Sequence, residues 1–385
     1  MNNDLNISGF KFTEVIVPAN HGTINSPKLN KPLHKLPLGG HSGWSIQFDE
    51  VPKIIVEMTL DNGVVGLGEF YRAADITLLN DIARILIGKN LNDLALQDLP
   101  IAWCREYDGF ECAIWDAYAK SKCMSVVSLL GGQVQDRVKV GAWTGHRLKE
   151  EIGELASKFS SLGYDSFKFK CDLEDDVASW CQEVKNYAPK MSIVLDPNER
   201  WENMAKTKRL LPALEEVGNI SCLEDPLPRW QLLEYQKLRN ITTIPIFMHV
   251  SLPYVYHGQR PYDAINAIAH NAVDGFNFNC GLANFQRLDS IARTANIDCW
   301  HGSELDLGIL EAMYVHSVSA AKSCTLASDI FGRSIREHDL LEKPLSINNG
   351  YVSLPPGDGL GVSLDYDAVE KYKTKTWKAG KVKNV

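Results

Sequence analysis

The 385 residues are too many for one ordinary domain and suit a barrel of repeated units with a smaller partner domain. A net charge of -8 without a basic stripe argues against nucleic acid as a partner, and no apolar run is long enough for a membrane span. Nine scattered cysteines without a C-x-x-C pair read as mostly buried thiols of a cytoplasmic protein, and residues 1–6 lack the basic-then-apolar pattern of a signal peptide.

In chain order, residues 8–18 and 52–60 alternate apolar and polar positions, as half-buried strands do. Asp61-Asn62-Gly63 is a hairpin turn that carries the second strand into residues 64–69. The segment of about residues 20–44 has neither period and is rich in Gly, Pro, His and Lys. A connection that long suits a mobile lid. From residue 76 to 130 the spacing is helical, with Leu78, Leu79, Ile82, Ile85 and Leu86 on one stripe and Cys112, Ala113, Trp115, Asp116 and Ala119 on another. Strands followed by helices, before any alternation, predict an α+β capping domain over residues 1–137.

From residue 138 the pattern alternates. Short apolar runs end on polar residues at steps of roughly 20 to 30, about what one strand, one helix and two loops consume. The run 164–169 closes on Lys168 and Lys170, 193–195 on Asp196, 220–223 on Glu224, and 244–248 on His249. Then 276–278 closes on Asn277 and Asn279, 297–300 on His301, and 325–327 on Asp329. Helices are predicted over 149–162, 174–187, 204–217, 230–239, 284–295 and 307–320. This describes a modified (β/α)7β TIM-type barrel over residues 138–345, with its chemistry at the C-terminal strand ends. Residues 346–385 carry turn signals at Asn349-Gly350 and Gly357-Asp358-Gly359 and are expected to return to the capping domain.

Lys168 and Lys170 stand two apart on one strand, so both face the barrel mouth. Mutual repulsion lowers ammonium pKa and can leave one amine free to accept a proton near neutrality. Asp196 and Glu224 arrive on the next two strands. They are hard oxygen donors suited to Mg²⁺, or else salt-bridge partners of the two lysines.

Several motifs stand in the order and spacing of the enolase superfamily. In the first domain these are Gly66-Leu67-Gly68-Glu69, Ala113-Ile114-Trp115-Asp116-Ala117 and Leu129-Leu130-Gly131-Gly132. In the barrel they are Lys168-Phe169-Lys170, Asp196-Pro197-Asn198 and Glu224-Asp225-Pro226, and in the tail Gly359-Leu360-Gly361-Val362. Over nearly its whole length the chain resembles the mandelate-racemase-like acid-sugar dehydratases of that superfamily. The resemblance implies a Mg²⁺-dependent lyase in which Lys170 takes the α-proton and Lys168 helps hold the substrate carboxylate. The cation stabilises an enediolate, His301 protonates the departing β-hydroxyl, and a 2-keto-3-deoxy acid results.

Members usually end the fifth strand on an acid, and this chain has none there. His249 is then the third ligand beside Asp196 and Glu224, as in galactarate dehydratase-like members, and an imidazole widens tolerance toward Mn²⁺. The other reading keeps His249 in the core with water as third ligand. Racemising relatives pair the seventh-strand histidine with an aspartate on the sixth. Here Asn277 and Asn279 stand instead, which favours His301 as an acid over a two-base racemase.

Asn198, Asn277, Asn279, Glu304 and Asp329 are candidates for holding hydroxyls or the carboxylate. Tyr71 and Arg72 of the cap, with His21 and His41 of the lid, could meet a second carboxylate, which puts an aldarate such as galactarate first. A cycloisomerase or epimerase built on the same enolate is the alternative function. A non-catalytic binding barrel is a further one, against which the two lysines and two acids argue. The expected partner is a small sugar acid, with no nucleic acid and no membrane, and the chain is expected to form a homo-oligomer.

Overall fold

The computed structural model describes residues 5–29, 31, 50–250 and 260–382. Three antiparallel strands open the capping domain: β1 (Ile7–Pro18), β2 (Glu50–Leu60) and β3 (Val65–Phe70). The β2–β3 turn closes through Gly63 N–H donating to Leu60 O at 2.8 Å, with Gly63 in the left-handed region. Three helices follow, α1 (Ile76–Leu86), α2 (Tyr107–Ser121) and α3 (Val126–Leu129). Asp75 starts α1 by accepting from the Thr77 and Leu78 N–H groups. Helix α2 lies so close on β3 that a Cβ at Gly66 would fall 2.1 Å from Ala113 O, and one at Gly68 2.3 Å from Gly109 O. Only glycine permits that approach.

The second part begins with β4 (Arg137–Lys139), β5 (Ala142–Thr144) and α4 (Lys149–Ser161). It continues with β6 (Ser166–Lys170), α5 (Val177–Tyr187), β7 (Ser192–Asp196), α6 (Met204–Thr207), α7 (Leu211–Val217) and β8 (Ile220–Glu224). Then come α8 (Leu232–Arg239), β9 (Ile246–Val250), α9 (Arg260–Ala269), β10 (Gly275–Phe278), α10 (Leu282–Thr294), β11 (Asp298–His301) and α11 (Gly308–Ala320). Strands β5 to β11 form one parallel sheet in chain order. Isolated parallel bridges, Cys299 with Cys324 and Val140 with Ser328, close the ring in place of a full eighth strand. The fold is therefore an α/β barrel with an antiparallel cap.

The tail supplies β12 (Ile347–Asn348), β13 (Tyr351–Ser353), α12 (Tyr366–Tyr372) and β14 (Lys373–Gly380). β13 pairs antiparallel with both β12 and β4, while β14 joins the cap sheet antiparallel to β1, where Trp377 stacks on Phe12 at 5.2 Å.

Some elements differ from the sequence reading. The barrel, expected to begin at residue 138, opens on two short strands, β4 pairing with β13 and β5 entering the barrel sheet. The helix expected over 204–217 is two helices, because Pro212 in the first turn of α7 brings no N–H to continue the ladder from α6. Helix α9 was not foreseen; it opens on Arg260-Pro261 directly after a stretch without periodicity.

Buried carboxylates hold cap to barrel. Glu69 on β3 accepts from Leu307 N–H at 2.7 Å and Leu310 N–H at 3.1 Å, at the start of α11. Glu111 on α2 accepts from Ala283 N–H at 3.0 Å, at the start of α10. Helix N-termini leave N–H groups unpaired and carry partial positive charge, so each acid meets a complementary end. Asp116 accepts from Leu67 N–H at 2.8 Å and Leu360 N–H at 2.7 Å, which ties the tail to the cap.

Candidate active site

Strand parity decides what enters the barrel. On β6, Phe167 and Phe169 pack outward on the helical layer and Lys168 and Lys170 point in. Lys168 Nζ lies 2.6 Å from Glu224, 3.0 Å from Asp329 and 3.4 Å from Asp196, and Lys170 Nζ lies 2.5 Å from Asp196. Asn277 on β10, opposite β6 across the ring, donates from Nδ2 to Glu224 Oε1 at 2.7 Å. His249 Nδ1 stands 3.5 Å from the same oxygen. These side chains form one buried cluster at the C-terminal strand ends.

The two lysines differ in charge state. Burial works against the Lys168 ammonium, but Asp329, Glu224 and Asp196 outweigh it and hold it well above the ordinary lysine range. Burial pulls the Lys170 amine below its ordinary range, and the Lys168 charge adds to that. Burial works against ionised Asp196, yet Lys170 and Lys168 hold its carboxyl well below the usual range. Glu224 is pushed up to about 7 by burial and then by the Asp196 charge. His249 is kept neutral by burial, with Arg229 and Lys168 adding to the effect.

A divalent cation fits this donor set on one observation. The buried His249 Nε2 has no hydrogen-bond partner among the described residues, while the Asp196 and Glu224 carboxylates already converge on the single positive point of Lys168 Nζ. Two carboxylates and a neutral imidazole make a mixed N/O set. A second group, His146, Asp172 and Asp175, also gathers its donor atoms within 4.8 Å. There, Lys31 reaches Asp172 at 2.6 Å and Asp175 at 2.9 Å, and Arg200 reaches Asp172 at 2.5 Å. Two cations already neutralise that group, so it reads as an ionic lock between Lys31 and the loop after β6.

His301 requires a correction. In the β10–β11 register Asn277 pairs with Trp300 and Phe278 with His301. Partners in a parallel ladder face the same side, so Trp300 enters the barrel with Asn277 and His301 turns outward with Phe278. His301 is fully buried between Phe285 of α10 and Tyr314 of α11, with ring centroids 4.6 and 4.0 Å away. Its Nδ1 lies 2.7 Å from Gly302 O and its Nε2 3.2 Å from Cys280 O. Burial pulls its pKa to about 4 although both carbonyls oppose this. It is a packed core histidine here, and no acid at the mouth.

The other candidates scatter. Asn279 Oδ1 lies 3.1 Å from the Tyr71 hydroxyl, which also lies 3.1 Å from Asp108, itself 3.0 Å from Arg260. Glu304 pairs with Arg105 at 2.7 Å, and Arg105 Nε donates to Arg72 O at 2.8 Å. Asn198 adopts a left-handed backbone, its N–H donating to Asp196 Oδ1 at 3.1 Å. His21 lies exposed in a turn, and His41 and most of the expected lid fall outside the described residues. The part that is described docks at the mouth: Ile24 packs with Trp143, Leu305 and Phe331. Sequence reasoning missed Arg105 and Arg229, the latter donating to His249 O at 2.9 Å. Arg229 stood four residues beyond Asp225, which accepts from His249 N–H, and that spacing was its only signal.

With this geometry in place, comparison with known proteins places the chain. The family described as enolase C-terminal domain-like matches residues 151–369, more than half of the length. The chain belongs to that family of enzymes. It is 28% identical over 351 residues to muconate cycloisomerase 1 of Rhodococcus opacus, covering 85% of this chain and 91% of the relative. It is 25% identical over 272 residues to o-succinylbenzoate synthase of Bacillus subtilis (strain 168), covering 69% and 70%. Among solved structures, an N-succinyl Arg/Lys racemase from Bacillus cereus ATCC 14579 superposes with a TM-score of 0.81 at 20% identity, covering 97% of this chain and 100% of that one. Among the described residues no helix is long and apolar enough to cross a membrane.

Proposed function

We propose that the chain is an isomerase of the cycloisomerase type, acting on a small carboxylate substrate through proton transfer at the carbon next to the carboxylate. One observation carries this. Both amines that enter the mouth from β6 stand on one side, while the inward positions nearest the mouth on β10 and β11 opposite, Asn277 and Trp300, are neither amine nor carboxylate. One base on one face suits a reaction that removes and returns a proton on the same side. A two-base racemase needs a second titratable group across the ring, and dehydration loses its expected acid with His301 turned outward. The muconate cycloisomerase relative supports the same choice.

In this reading Lys170, the amine pulled below its ordinary range, moves the proton. Lys168, held charged by three carboxylates, fixes the substrate carboxylate and balances its charge. Asp196, Glu224 and His249 would hold a divalent cation, Mg²⁺ or Mn²⁺, which when bound supplies positive charge for the substrate carboxylate. Asn277 keeps the Glu224 carboxylate oriented through its 2.7 Å hydrogen bond.

The test is a panel of unsaturated dicarboxylates and their lactones beside aldonates and aldarates, run with Mg²⁺ or Mn²⁺ in deuterated water. Interconversion of lactone and open acid, with deuterium on a single face, is the expected result. Release of 2-keto acids from aldarates would instead return the reading to sugar-acid dehydration.

A further inference from the structure

We propose that the N-terminal end of the barrel holds a second site, for a neutral, ring-sized molecule with one hydrogen-bond acceptor. Barrel interiors of this kind are filled by stacked layers of branched side chains. Here the middle layer, Val194, Cys222, Phe247 and Trp300, forms a separate cluster with Leu326. The layer beneath it is thin. Ser166 and Ser192 take the lowest inward positions of β6 and β7, and a Cβ at Gly275 of β10 would lie 2.0 Å from the Phe247 ring. Below the middle layer a cavity of about 320 Å³ remains, walled by Ser166, Ser192, Phe247, Trp300 and Ala327. That is roughly twice the ~150 Å³ of an apolar cavity that takes up benzene.

The chemistry of the walls selects the ligand. Charged groups at the rim are already paired: Lys139 with Asp165 at 2.9 Å and Asp274 with Arg239 at 2.6 Å. Asp298 accepts from the Thr325 hydroxyl at 2.7 Å. An ion would therefore find no partner, and a neutral molecule would. Phe247 and Trp300 stack at 5.1 Å with 19° between planes, which presents a flat wall to a ring. Trp300 is 3% exposed, and its buried indole N–H has no hydrogen-bond partner among the described residues. A buried donor left unmade is costly, so a ligand acceptor placed there is favoured. The Trp300 ring centroid also lies 5.6 Å from Lys168 Nζ, so one side chain borders both the lower cavity and the mouth.

The probe is 4-fluorophenol, titrated into the full chain and followed by ¹⁹F NMR, calorimetry and the ¹⁵N-indole resonance of Trp300, assigned by its loss in Trp300→Phe. Saturable binding at one site and a shift of that indole resonance are expected. Ala327→Leu and Ser192→Leu, which fill the cavity from different segments, should each weaken binding at least about tenfold. Trp300→Phe, which keeps the stack and removes the donor, should weaken it about threefold to tenfold. No saturable binding, an unmoved indole resonance, or affinity unchanged in both filled variants would overturn the proposal; the last would place the probe elsewhere. Because the readout is binding, it is independent of whether the mouth performs the proposed isomerisation.

Discussion

Replacing His301 by Phe separates a packed core histidine from a catalytic acid. The ring sits between Phe285 and Tyr314, so a phenyl group keeps both stacking contacts. What is lost is the hydrogen bonding to Gly302 O and Cys280 O. A neutral imidazole has one N–H, so one net bond disappears and its carbonyl loses its partner, at about 1–3 kcal/mol. The pH dependence gives a second readout. The folded-state pKa is about 4, against an ordinary 6.5. Between those values the unfolded chain binds a proton that the folded chain refuses. The stabilising contribution is thus complete above pH 6.5 and is lost as pH falls toward 4, on the order of 3 kcal/mol in total. His301→Phe should therefore be less stable than wild type at pH 7.5, and the gap should close or reverse near pH 4.5 in urea melts. Turnover should stay within about tenfold of wild type, since a general acid contributes about 10²–10⁴-fold. A loss of about 10²-fold or more in kcat, with the melt unchanged, would refute the parity argument.

The remaining predictions follow from the same site and its supports. Lys170→Ala should abolish substrate α-proton exchange, measured by NMR, while leaving circular dichroism and metal binding unchanged. His249→Ala should weaken Mn²⁺ binding at least about tenfold by calorimetry, since it removes one of three donors. Glu111 is pushed up to about 8 by burial and then by the Asp108 charge. Wild type should therefore lose stability as pH rises from 4.5 through 8, and Glu111→Gln, which cannot ionise, should gain on it across that window in thermal melts. Gly68→Ala should destabilise by about 3 kcal/mol or more, because its Cβ would lie 2.3 Å from Gly109 O, and a melt within a degree of wild type would contradict that.

The barrel was legible because polar residues at strand ends recur with the period of the fold, and Lys168, Asp196, Glu224 and Asn277 converge for that reason. His301 shows the limit of this reading. Its apolar run ended on a histidine, but strand chemistry is decided by parity, and the run was read one residue past the inward position held by Trp300. The cap–barrel links were not legible at all. Nothing near Glu69 in sequence announces that it caps a helix starting at Gly308, because unpaired N–H groups at a helix start accept a partner from anywhere in the chain. Lys31, in the segment expected to form the lid, is held by Asp172 and Asp175, a pairing that nothing in its own stretch of sequence announces.

Strand β1 lies between β2 and β14, which places residues from opposite ends of the chain side by side. During synthesis β1 and β2 leave the ribosome early, but the neighbour on the far side of β1 comes only with residues 373–380. At ordinary elongation rates that interval is on the order of tens of seconds. Throughout it, β1 is an edge with unpaired N–H and C=O groups, and Phe12 lacks the Trp377 ring that later covers it. A nascent chain paused before residue 373 should therefore be prone to strand pairing between neighbouring copies, and the arrival of residues 373–380 is the event that seals this side of β1.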